Sequence, residues 1–154
     1  MIETSLIAPC VAYSGRAEGE AARGQRITDE LETGIERPGS ETVMAFVAEP
    51  VPGATPGAVP TVPGYFRLIR MICDRHGGLP ILDKGICGMG RTGTLFACNQ
   101  DGIAPDIAAI AKGLGAGSQP VGAMLRTASH RSGQWHLLAR THIWAIRPPP
   151  RWRS

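Results

Sequence analysis

The hydrophobic positions of this chain change period several times, and each change marks an element. From Glu18 to Arg37 the sequence is charged, with Ile27, Leu31 and Ile35 recurring every four residues, the spacing of one buried stripe on a surface helix. Pro38-Gly39 closes that stretch. Thr42 to Ala48 is apolar and β-prone, which predicts a buried strand. Pro50 to Pro63 is dense in proline, with Gly53 and Gly57 among them, and is expected as a structured loop. Tyr65 to Arg75 returns to helical spacing and runs into Gly77-Gly78, a stop signal. Three short apolar runs follow: Leu79-Pro-Ile-Leu82, which ends at Asp83; Ile107-Ala-Ala-Ile-Ala111, which ends at Lys112; and Val121 to Leu125. Runs of this length bounded by turns read as strands, and strand–helix–strand order predicts an α/β fold with a mostly parallel sheet.

Composition narrows the class without naming a function. The 154 residues are 43% hydrophobic with a formal charge of +3, enough for one domain with a real core. No run of about 18 apolar residues occurs, so no membrane span is expected. The N-terminus lacks a basic region leading into an apolar one, so no signal peptide is expected, and the protein is read as cytoplasmic. Cys10, Cys73, Cys87 and Cys98 show no Cys-x-x-Cys spacing, and His76, His130, His136 and His142 form no ligand pattern; no metal is expected and the thiols are read as reduced. Arginines after Leu125 supply most of the charge excess, beside Trp135, Trp144 and Trp152. Without a recognisable module they do not make a nucleic-acid or membrane partner.

Candidate chemistry begins with Lys112, one of only two lysines. An amine at the end of an apolar strand has its charged form disfavoured, which leaves free amine to form a Schiff base with a carbonyl. A strand-end lysine reaching solvent is the other reading. Asp83 ends a neighbouring apolar run, and chemistry in open α/β sheets gathers at the carboxyl ends of parallel strands. An acid and an amine meeting there suit pyridoxal phosphate, with the lysine forming the imine and the carboxylate holding the pyridine nitrogen protonated. Asp83 also reads as an ordinary turn cap. Gly88-Met-Gly-Arg-Thr-Gly93 matches the dinucleotide fingerprint, but Gly102 and Pro105 arrive too soon for the helix that it must open. Gly113-Leu-Gly-Ala-Gly117 fails as a P-loop because Lys112 precedes its glycines.

From Val47 to Met124 the chain resembles the class III aminotransferases, the pyridoxal-phosphate family that includes omega-amino acid transaminases. The residues that carry the likeness are Ala48-Glu-Pro-Val-Pro-Gly53, Val62-Pro-Gly-Tyr-Phe66, Ile81-Leu-Asp83, Gly88 to Cys98, Gly102-Ile-Ala-Pro-Asp106 and Ala111-Lys-Gly-Leu-Gly115. Ser5 to Glu20 extends it through Pro9-Cys10 and Gly15-Arg16. The resemblance implies the aspartate-aminotransferase-like fold, pyridoxal 5'-phosphate as cofactor, Lys112 as the imine-forming catalytic lysine and Asp83 as the partner of the pyridine nitrogen. It implies Glu49 on the substrate side, and Gly85 and Ile86 at cofactor-binding positions. Arg91 and Gly93 fall in an arginine-threonine-glycine turn whose part is shape. The family usually has glutamate, valine and glutamine where this chain has Lys84, Gly85 and Ile86. Gly85 cannot pack on the cofactor ring, Ile86 cannot make the polar contact, and Lys84 is expected to set a positive charge beside Asp83 that lowers the carboxyl's pKa.

The implied activity is transfer of an amino group from an amine or amino acid to a keto acid, small-molecule substrates both, in a family of homodimers. Residues 1–125 are read as part of the large domain, without the family's phosphate-binding glycine-serine loop or its C-terminal domain, and with too little interface to dimerise. Residues 126–154 are read as a divergent, disordered tail. Read one base earlier, allowed codons for Arg140 to Arg147 spell histidine-threonine-tyrosine-leucine-glycine-histidine-proline, like a family segment, so a frameshift between Leu125 and Arg140 is expected. Two further readings stay open: a non-catalytic remnant without turnover, and a nucleotide-binding fold using the Gly88–Gly93 loop.

Overall fold

Spacing of apolar residues becomes burial as soon as the helices form. In α1 (Glu20–Glu36), Ile27, Leu31 and Ile35 are buried at 0%, 7% and 4% exposure, one stripe on an otherwise charged helix. In α2 (Tyr65–His76), Tyr65, Phe66, Ile69, Ile72 and Cys73 form the matching stripe. α2 stops at Gly77, whose φ of 73° is a left-handed conformation that glycine adopts without steric cost. Its start has no local cap. Instead the remote Asp101 carboxylate accepts the Gly64 and Phe66 N–H groups at 2.9 and 3.0 Å, satisfying orphan donors at the positive end of the helix dipole.

The computed structural model describes residues 3–11, 18–53, 57–127 and 135–138. Five strands, β1 (Ala45–Ala48), β2 (Leu79–Asp83), β3 (Ile107–Ile110), β4 (Ala123–Thr127) and β5 (Trp135–Leu138), form one sheet in the order β1-β2-β3-β4-β5. β1, β2 and β3 are parallel; β4 is antiparallel to β3, and β5 to β4. Four strands therefore run one way and β4 alone runs back. Residues 111–122 hold only a 3-10 turn at Lys112–Gly115 and no helix of the kind that usually carries a crossover into a parallel neighbour. Residues 84–106 do cross over, as a long loop with a 3-10 turn at Ala97–Asn99 in place of a helix.

One face of the sheet, with Leu82, Ala108 and Leu125, joins the α1 and α2 stripes in a single core. Each fully buried Leu or Ile there contributes roughly 1.5–3 kcal/mol of burial free energy. Arg70 fastens α2 to the sheet, donating to the buried Asp106 carboxylate at 2.8 Å and to Asp74 at 2.5 Å. Asp106 in turn sits between strands: its N–H donates to Pro80 O, and its carbonyl accepts from Thr127 N, both at 3.0 Å. The boundary expected at residue 125 falls inside β4, and the sheet continues into β5. The proposed out-of-frame stretch from Arg140 onward and the segment Ala12 to Arg16 lie outside the described residues.

Candidate functional site at the carboxyl ends of the parallel strands

Parallel register brings three sequence-predicted residues to one end of the sheet. Ala48 pairs with Leu82, so Glu49 and Asp83 each stand one residue beyond that pair; Lys112 follows the end of β3 by two residues. All three are exposed. The apolar surroundings expected around the Lys112 amine are therefore absent. What orients it is backbone: Lys112 has φ 47°, a left-handed conformation uncommon for a side-chain-bearing residue, at the start of a 3-10 turn. The next residue, Gly113, packs so tightly on the Met89 turn that a Cβ there would lie 3.1 Å from Met89 Cβ.

Asp83 is held by an Asx-type bond, its Oδ1 accepting the Gly85 N–H at 2.8 Å. Gly85 then joins acid to amine. A Cβ added to it would lie 3.1 Å from Asp83 Oδ1 and 3.2 Å from Lys112 Nζ, so both groups face one small space above a residue with no side chain. Ile86 does not face that space. Its Cδ1 presses on Gly53, at 2.0 Å from where a Cβ would stand there, and ties the proline-rich loop to the site loop. Arg91 is exposed, and Gly93 (φ 85°) closes a turn by donating to Gly90 O at 3.1 Å.

Lys84 overturns its expectation. Side chains alternate across a strand, so the residue after Asp83 points to the opposite face. Lys84 is 0% exposed and buried in the core, with Nζ 2.9 Å from Cys98 Sγ and 4.1 Å from the centre of the Phe96 ring. Burial holds its ammonium below the ordinary lysine pKa. Sequence reasoning missed Cys98 and Phe96 as its partners; the period-2 alternation carried on from β2 was the signal available.

The glycine fingerprint also resolves. Gly88 N–H donates to Lys84 O at 2.9 Å, and a Cβ on Gly88 would meet that oxygen at 2.8 Å. Its glycine serves a tight backbone turn, and the Ala97–Asn99 turn follows where a dinucleotide site needs a helix. A cleft of about 480 Å³ lies between the proline-rich loop and Gln100-Asp101, and its walls include neither Asp83 nor Lys112. Chemically, the strand-end arrangement offers an amine that can add to a carbonyl and a carboxylate that can hold a protonated ring nitrogen.

Known proteins resemble this chain in sequence and fold. Residues 6–138 match the family described as Aminotransferase class-III. An aminotransferase of Gibberella zeae is 46% identical over 114 residues, which are 73% of this chain and 22% of that protein. Among solved structures, an (S)-enantioselective omega-transaminase from Thermomicrobium roseum superposes with a TM-score of 0.70 at 42% identity, over 76% of this chain and 26% of that one. The omega transaminase from Pseudomonas jessenii in complex with PMP gives a TM-score of 0.70 at 36% identity, over 79% of this chain and 27% of its own. The chain thus spans about a quarter of the length of the relatives it matches.

Proposed function

Because this chain belongs to the class III aminotransferases, we propose that it carries the amine–carboxylate pair of pyridoxal-5'-phosphate-dependent amino-group transfer. Lys112 Nζ would hold the cofactor through its carbonyl and, as a free amine, would be the base positioned to carry a proton at the substrate. Asp83 holds the ring nitrogen's proton, and the Gly85 N–H keeps its carboxylate aimed. The bound cofactor supplies an electron sink for the carbanionic charge that proton removal creates. Glu49, beyond the end of β1, lines the substrate side. Gly85 leaves the ring face open, and Ile86 fixes the loop beneath it against Gly53.

The observation that carries this reading is the convergence of Asp83 Oδ1 and Lys112 Nζ within 3.2 Å of one point over Gly85. Atoms that close to one point stand nearer each other than a pyridoxal imine requires, but both side chains are exposed and free to swing apart, so the donor chemistry of the residues present suits the group. Substrates would be an amine or amino acid donor and a keto acid acceptor. The chain would work as part of a family-type homodimer, in a reducing, cytoplasmic setting that suits its four free thiols.

The test is cofactor capture by the full chain. Incubation with pyridoxal 5'-phosphate should give an absorbance band near the visible edge, and borohydride should fix the adduct on Lys112. In Lys112→Ala the band should fall by at least tenfold with the fold intact by circular dichroism. A folded protein with no adduct at Lys112 sinks the proposal. An adduct on Lys112 without amino-group transfer supports the second reading, a chain without turnover. Gly85 and Ile86 favour that reading, because neither supplies the ring packing or polar contact expected at its position.

A further inference from the structure

The amine that the proposed chemistry leaves unused is Lys84, and it lies in contact with a thiol. Its Nζ is 2.9 Å from Cys98 Sγ, with the two residues 0% and 1% exposed. Phe96 covers the amine on one side, its ring centre 4.1 Å from Nζ. Cys87, 2% exposed, is a second buried thiol electrostatically coupled to both groups. We propose that Lys84 and Cys98 form a modification site: peroxide oxidation of Cys98 is captured by the Lys84 amine as a covalent sulfur–nitrogen bond.

The step balances. Cys98 Sγ attacks a peroxide oxygen, giving a sulfenic acid and one water; the sulfur loses two electrons and the peroxide gains them. Lys84 Nζ then attacks the oxidised sulfur, the S–O bond breaks, and the hydroxyl leaves with an amine proton as a second water. The product is a sulfenamide, the sulfenic-acid-to-nitrogen condensation known for backbone amides, here made by a side-chain amine. Three features favour this outcome over further oxidation. The nucleophile already stands at contact distance, which replaces a bimolecular capture by an intramolecular one. Burial disfavours the ammonium and leaves the lone pair available. Bulk thiols that would compete are much larger than hydrogen peroxide, so a site with almost no exposure shuts them out while the small oxidant enters as the fold breathes. The bond would tie the end of β2 to the Ala97–Asn99 turn and close the loop that carries Gly85 and Gly88.

Intact mass and peptide mapping of the full chain after hydrogen peroxide treatment test the proposal. The expected result is loss of two hydrogens, a cross-linked peptide joining Lys84 to Cys98, and reversal by a thiol reductant once the chain is unfolded in urea. Cys87→Ser should keep the cross-link. Lys84→Met should lose it and leave Cys98 open to a 1,3-dione that tags sulfenic acid. Peroxide added to urea-unfolded chain should give little cross-link, since only the fold brings the two together. A Cys87–Cys98 disulfide, or sulfinic acid at Cys98 beside an unmodified Lys84 in the native protein, overturns it. The wild-type map decides the matter even if a variant fails to fold.

Discussion

A single alternation separates two lysine environments that look alike in sequence. Lys112 stands exposed at a strand end with its carbon backbone in a left-handed turn, and Lys84, one residue past Asp83, is sealed into the core. The buried amine makes stability depend on pH with a definite sign. Its folded pKa is below the ordinary 10.5, so between the two values the unfolded chain binds more protons than the folded one. Stability therefore rises as pH climbs through the folded pKa toward 10.5, and the charged form costs stability below that window. Cys98, Phe96 and Cys87 are among the groups facing it, and the Cys98 thiol offsets part of the cost. Urea unfolding at neutral and alkaline pH should show this rise in the wild type and a flatter profile in Lys84→Met. Equal slopes in both would show that Lys84 titrates alike folded and unfolded. Sequence alone marked Asp83 and Lys112 as strand-end groups; Lys84's partners were out of view because Cys98 lies fourteen positions away on a loop without periodicity.

At the scale of elements, the helices were legible because they are amphipathic, and their boundaries fell within about two residues of the expected ones. The long-range cap of α2 was not legible, since no local motif announces Asp101. That carboxylate satisfies two N–H groups and meets the helix dipole's positive end, in place of the missing local cap. Asp101→Ala should lower stability by about 1 kcal/mol, in the range for losing an N-cap. Asp101→Asn should recover part of that loss, because an amide oxygen still accepts one bond. A denaturation midpoint unchanged in both variants would mean that solvent serves those donors equally well. β4's reversal belongs to this scale too: a short apolar run identified the strand, but its direction goes with a connection that carries no crossover helix.

For the whole molecule, the described residues cover the sheet on one side only. Leu82, Ala108 and Leu125 face the helices, while Val47 and Met124 on the other face are 65% and 52% exposed. β1 is also an edge strand of the described sheet. Parallel strands normally have both faces covered, and an apolar edge invites pairing with another chain. Light scattering after gel filtration should find mass rising with concentration, and Val47→Lys should move it toward the monomer. A monomer at every concentration would show the face to be adequately solvated. The sequence by itself determined α1, α2 and the first four strands, and which residues end β2 and β3, because periodicity and turn residues are local; it did not show β5, which lies in the stretch read as a disordered tail. It also set the order of motifs by which family membership is recognised. Only the tertiary structure decided that Asp83 and Lys112 face one space over Gly85 and that Lys84 lies against Cys98. Those are contacts between residues distant along the chain, fixed by strand register and by loops whose glycines let backbones touch, and no local pattern encodes such distances.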